Sequence, residues 1–109
     1  MTVLTDKEIT KKIAGLTGEK VTEAYMDSRI HTTKYFILHD TTTTICTITL
    51  DCGYNVLGES ACVDPENFDA DIGQTLAYKD AYRKLWPLFG FLLSQKRLVD
   101  KTEIKITGA

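Results

Sequence analysis

Residues 56–93 read VLGESACVDPENFDADIGQTLAYKDAYRKLWPLFGFLL, and they limit what the rest of the chain can build. A strand is expected to end at Gly58, followed by a polar loop. Asp64-Pro65 then opens the longest helical pattern in the sequence, because Asp caps free amides and Pro fits a first helical turn. Counting about 100° per residue from Ile72, the side chains of Phe68, Ile72, Leu76, Tyr78, Tyr82, Leu85, Trp86 and Phe89 cover half the circumference. So wide an apolar arc predicts a helix packed deeply across a sheet. Pro87 lacks an amide and is expected to kink this helix after Trp86. Apolar residues continue through Gly90 and Phe91-Leu92-Leu93, giving a helical segment over 65–97.

The remainder supplies the sheet. Thr5-Asp6-Lys7-Glu8 has capping-box form, and Ile9, Ile13 and Leu16 follow at helical spacing. A short N-terminal helix is therefore expected over 6–16, docked by one narrow stripe. Val21, Tyr25 and Met26 suggest a strand closed by an Asp27-Ser28 turn. Lys34-Tyr35-Phe36-Ile37-Leu38-His39 is apolar on both faces, as a central covered strand would be. Residues 42–50 alternate, with Cys46, Ile48 and Leu50 on one face and Thr47 and Thr49 on the other. Asp51-Cys52-Gly53 makes a tight turn, and Tyr54-Asn55-Val56-Leu57-Gly58 returns. The fold class is α+β, one domain over 1–109. An antiparallel meander of three to four strands spans 20–58, packed by a long C-terminal helix kinked near Pro87, with the short N-terminal helix beside it. Residues 101–106 alternate and would add an edge strand or trail as a tail.

Composition narrows the function. A chain of 109 residues holds one core. A net charge of -2 gives no clustered excess of Lys and Arg, so nucleic-acid binding is not expected. No apolar run reaches the roughly 20 residues of a membrane span, and the charged start MTVLTDKEITKK does not read as a signal peptide. Three cysteines, Cys46, Cys52 and Cys62, at irregular spacing fit a reducing cytoplasm better than a disulfide framework. Metal-ligand pairs of the CxxC or HxH kind are missing, so neither metal nor cofactor is expected. For catalysis, Cys62 with His39, or Glu59 as an acid or base, would need partners that only the fold can bring near. No catalytic residue is assigned.

The residues that packing explains least lie in the same stretch. Lys79 and Arg83 are four apart on the helix beside Tyr82 and Trp86, a cation pair bordering aromatics of the kind that suits an acidic or phosphate-bearing ligand. Glu59 and Ser60 sit in the strand-to-helix loop, and Asn67 at the helix start. These seven residues form the candidate ligand- or partner-binding set.

The string CTITLDCGYNVLGESACVDPENFDADIGQTLAYKDAYRKLWPLFGFLL resembles a family of small tailed-phage and prophage proteins, the phage gene-product 49/66 family. The resemblance covers about residues 44–93. It rests on Gly58-Glu59-Ser60-Ala61, on Asp64-Pro65 with Asn67-Phe68-Asp69, on Ala81, and on Trp86-Pro87-Leu88 with Gly90 and Leu92-Leu93. The chain departs from that pattern at Cys52-Gly53, where Asn-Gly or Asp-Gly is expected, and at Phe89, where an acid is expected. The resemblance implies a phage product acting in the host cytoplasm, with no catalytic residue to carry over. The expectation is thus a non-enzymatic accessory protein that binds and inhibits a host bacterial protein in host takeover or counter-defence. The alternatives are a binder that sequesters a nucleotide or other anionic signal, and a small hydrolase or thiol enzyme. Self-association into a homodimer or higher oligomer is open in each case.

Overall fold

The structure, a computed structural model, describes residues 3–16 and 18–101. Its elements in order are α1 (Asp6–Ala14), α2 (Glu23–Arg29), β1 (Ile30–Ile37), β2 (Thr43–Leu50), β3 (Asn55–Ala61), a 3-10 turn (Pro65–Asn67), α3 (Ala70–Arg83) and α4 (Leu85–Lys101). The strands form an antiparallel meander in the order β1-β2-β3. The fold is α+β, with a short N-terminal helix and a long C-terminal helix bent by 22°.

β2 is the central strand, and its alternation decides which face is covered. Thr44, Cys46, Ile48 and Leu50 are buried beneath the helices. Thr43, Ile45, Thr47 and Thr49 point to the opposite, uncovered face and are half-buried. The turn into β3 closes through Gly53 at φ 91°, with its amide donating to the Leu50 carbonyl at 2.9 Å.

The long helix lies on β2 and β3, and its packing face differs from the expected arc. The buried positions are Gly73, Ala77 and Ala81, one turn apart, followed by Leu85 and Phe89. Ile72 and Leu76, placed in the arc by the pattern, are 59% and 49% exposed. The reason is steric. A Cβ added at Gly58 would lie 2.2 Å from both the Ala77 carbonyl oxygen and the Ala81 amide, so the α3 backbone rests directly on β3. One at Gly73 would lie 2.7 Å from Thr44 Oγ1. Helix and sheet approach this closely only along a stripe of small side chains, and the larger residues are turned outward.

Five further expectations change. Residues 23–29 form a helix rather than a strand: Thr22 caps it by accepting from the Tyr25 amide at 3.1 Å, and Met26 is buried in the core. The segment 34–39 is apolar on both faces and belongs to an edge strand that the described residues leave uncovered, not to a covered central one; Tyr35, Phe36, Ile37 and Leu38 are all exposed. β3 runs on through Glu59-Ser60-Ala61, where a loop was expected. Asp64 and Pro65 start only the 3-10 turn, and α3 begins at Ala70 behind a second cap, with Asp69 accepting from the Ile72 amide at 3.1 Å. The bend expected near Pro87 is present, but the helix breaks at Lys84 rather than after Trp86, the Lys84 amide reaching back to the Ala81 carbonyl at 3.1 Å. The proline ring crowds the carbonyl four residues upstream, that of Arg83, so the disturbance appears before Pro87 and not after it.

The capping box of α1 forms as expected, with the Glu8 amide donating to Thr5 Oγ1 at 3.2 Å. Its stripe does not dock: α1 buries no residue, and Ile9, Ile13 and Leu16 are exposed. The Cα radius of gyration is 18.1 Å, against about 13 Å for a compact chain of this length. Of the expected tail at 101–106, only Lys101 lies among the described residues, as the end of α4.

Gly58 and Gly90 give a sharp contrast in stability. Gly58→Ala is expected to cost about 3 kcal/mol or more, because the new methyl meets backbone that cannot yield without lifting α3. Gly90→Ala, with nothing within 4 Å of its Cβ in mid-helix, should stabilise by about 0.5–1 kcal/mol. Thermal unfolding of both variants checks this pair.

Candidate functional site

The seven residues singled out in the sequence fall in three places. Glu59 and Arg83 meet at the outer edge of β3. There Asp80 accepts the Glu59 amide at 3.0 Å and takes Arg83 Nη2 at 2.9 Å, while Lys84 Nζ donates to the Leu57 carbonyl at 2.6 Å. Arg83 is 72% exposed and its guanidinium is turned back to this brace. Lys79 is exposed on the same helix. Ser60 and Asn67 line a hollow of about 290 Å³ floored by Phe68, Ile72 and Leu76. Tyr82 and Trp86 stand in a third place, in a ladder with Tyr78 whose ring centroids are 5.6 and 6.5 Å apart. The Tyr82 hydroxyl donates to Asp27 Oδ1 at 2.8 Å. Burial, and then that carboxylate, raise its pKa above the ordinary phenol value.

The cysteines and histidines engage their own neighbours. Cys62 Sγ donates to the Asp64 carbonyl at 3.1 Å, and His39 Nε2 lies 3.2 Å from the Asp40 carboxylate. Burial pushes the Cys46 thiol up, away from the thiolate a nucleophile needs. Among the described residues, no group of three or more His, Cys, Asp or Glu is placed to hold a metal ion.

A different concavity has the makings of a binding site. Between α2 and α4 lies a cleft of about 380 Å³. Its floor is Val21, Tyr25, Phe89, Leu92 and Leu93, and its rim carries three cations, Lys20, Arg29 and Lys96. The local build explains the shape. Tyr25 sets its ring edge-on to Phe89 at 5.9 Å, a favourable quadrupole arrangement. Arg29 lies over both rings, 5.8 Å from the Tyr25 centroid and 5.6 Å from that of Phe89. Its Nε reaches both oxygens of Asp51 at 2.8 and 2.9 Å, and Nη1 donates to the Tyr25 hydroxyl at 2.9 Å. Arg97, 3.5 Å from the Glu19 carboxylate, ties α4 to the segment entering α2.

Electrostatically the three cations are not equal. Asp51 already compensates Arg29, whose main role here is to lock Tyr25 and Phe89 in place. Lys96 is only 66% exposed beside Asp100 at 3.5 Å, a pair that salt and water weaken. Lys20 and Lys96 therefore carry the charge that a bound anion would meet. The arrangement fits an apolar or aromatic group joined to a carboxylate or phosphate. The sequence does not reveal it, because Tyr25 reads as part of a strand and the carboxylate that compensates Arg29, Asp51, lies 22 residues away. The usable signal was Thr22 as a cap three residues before Tyr25, which would have put Tyr25 and Arg29 one turn apart on one helix face.

The brace at the β3 edge titrates. The Arg83 guanidinium, and after it the Glu59 amide, hold the Asp80 carboxyl below its usual range. A depressed folded-state pKa gives stability that is full above the unfolded value of about 3.9 and fades as pH falls through the folded one. Asp80→Asn should therefore lower the Tm near pH 7, and the gap to the parent should narrow as the pH is taken down to about 2. Melting curves across that range test it; a gap of constant size would mean that the charge is not what stabilises the edge.

Comparison with known proteins gives one clear result. The model of a phage protein family matches residues 21–97, from the cleft segment before α2 through the sheet to the last turns of α4. This is longer than the 44–93 stretch that carries the sequence resemblance, and adds α2 and β1. Among curated proteins and among solved structures nothing matches. With well over half of its length covered, and with every element but α1 included, the chain belongs to the Phage protein (N4 Gp49/phage Sf6 gene 66) family.

Proposed function

We propose that this phage protein works by binding rather than by catalysis, docking on a host bacterial protein in the host cytoplasm and inhibiting it. The observation that carries the reading is the α2–α4 cleft, an apolar aromatic floor under a cationic rim. It suits a partner segment in which a buried apolar or aromatic side chain is flanked by Asp or Glu. The apolar surface does not stop at the cleft: Phe91, Leu92, Leu98 and Val99 stay exposed along α4, and a patch of that kind with a polar rim is typical of a protein interface.

A second reading uses the same cleft for a small molecule. Its volume lies within the range of about 300–1,000 Å³ common to small-molecule sites, and a nucleotide or other anionic signal combines a ring with a phosphate. The two readings separate experimentally. A photo-crosslinking side chain at Leu92, in the full chain expressed in host cells, should give a discrete host-protein adduct. That adduct should weaken when Lys20 and Lys96 are both changed to Glu, with rim charges contributing about 1–2 kcal/mol and mostly to the on-rate. Adducts that ignore the charge reversal, or none at all, overturn the protein reading. Calorimetry of the purified chain against mono-, di- and cyclic nucleotides tests the other: a heat of binding lost in the same double variant would favour the small molecule.

A further inference from the structure

The two edges of the sheet are treated differently. The Leu50 amide donates to the Tyr54 carbonyl at 2.9 Å, so the odd-numbered positions of β3 turn their backbone groups outward. Two of those outward groups are closed by α3: Asp80 takes the Glu59 amide and Lys84 the Leu57 carbonyl. Charged side chains folded over an edge are a standard defence against unwanted pairing. At the other edge, the Leu38 amide donates to the Thr43 carbonyl at 3.0 Å. By the same parity, Lys34 and Phe36 turn their backbone groups to β2, while those of Tyr35 and Ile37 face outward. α3 packs on β2 and β3, so among the described residues no side chain closes this second edge as Asp80 and Lys84 close the first.

The side chains there say what kind of partner fits. Tyr35 and Ile37 point to the helix side of the sheet, Phe36 to the open side, and they are 38%, 48% and 50% exposed. A partner docked on one face would cover only part of this set. A strand added in the plane of the sheet touches both faces at once and takes up the outward amides and carbonyls.

We infer that β1 pairs antiparallel with β1 of a second copy of this chain, joining two three-stranded sheets into one of six. The strand is self-complementary for this. Its one fixed charge beyond the irregular start is Lys34. A two-fold axis at Tyr35 sets Lys34 against the partner's Phe36, and an axis at Phe36 sets it against the partner's Leu38. Neither register brings like charges together, and the second also stacks the two Phe36 rings. Because α3 lies over β2 and β3, the helix side of both β1 strands has room for the two pairs of Tyr35 and Ile37. This inference goes beyond the cleft and does not depend on it.

Light scattering on the full chain, from low micromolar to near-millimolar concentration, decides it. The parent is expected to approach twice its 12.2 kDa chain mass. Phe36→Lys, which opposes lysines in either register, and Ile37→Pro, which removes an outward amide, should each stay at the single mass. Both should keep the parent's circular dichroism, and Phe36→Lys alters only an exposed side chain should the proline variant not fold. A parent that remains at the single mass at the highest concentration overturns the inference. So does a dimer that survives Phe36→Lys.

Discussion

The contact of the α3 backbone with β3 at Gly58 sets the rest of the structure. Helix and sheet meet with only hydrogen between them there, and Gly73 under Thr44 keeps the same close spacing one end of the helix on. A helix held this low over β2 and β3 brings Asp80 and Lys84 within reach of the strand edge. It also covers the central strand and β3 of a three-stranded sheet and stops short of β1. The bare β1 edge and the guarded β3 edge are two consequences of one placement. When the helix breaks at Lys84, Leu85 and Phe89 stay in the core while the next turns pass over α2, and the cleft opens between them.

What could be read from the sequence follows from which forces leave local signatures. β2 is legible because one face is buried and the other is not, so Cys46, Ile48 and Leu50 alternate with threonines. The Thr5 box and the Gly53 turn are legible because capping and positive φ demand particular residues within three positions. The small-residue stripe is not. Gly73, Ala77 and Ala81 barely register on a hydrophobic wheel, so Ile72 and Leu76 drew the helix face toward themselves. The same limitation hid the edge strand. Lys34-Tyr35-Phe36-Ile37 is apolar on both faces, which a covered central strand and an unpaired edge strand share, and only the order of strands tells them apart.

The candidate site shows the limit from another side. Glu59 is unexplained by local packing because its partner, Asp80, lies 21 residues away in sequence, and the pairing of Arg83 with Asp80 three residues before it gains its meaning only when that carboxylate also takes the strand amide. Once the fold joins them they form a brace on the β3 edge. Arg29 and Asp51 are 22 residues apart, and Tyr25 and Phe89 come from different helices. An aromatic floor assembled in this way leaves no motif behind. The net charge of -2 was equally silent, since it averages a cationic rim at the cleft with acids spread elsewhere.

Among the described residues, α3 shuts one edge of the sheet and leaves the other open. Residue-resolved amide exchange of the dilute chain tests it most directly. The account predicts slow exchange at Phe36, whose amide turns to β2, and fast exchange at its neighbours Tyr35 and Ile37. It predicts slow exchange at Glu59 as well, although that amide also points off the sheet, and fast exchange there in Asp80→Ala. Protection at Tyr35 and Ile37 in the dilute chain, or a fast Glu59 amide in the parent, would contradict it.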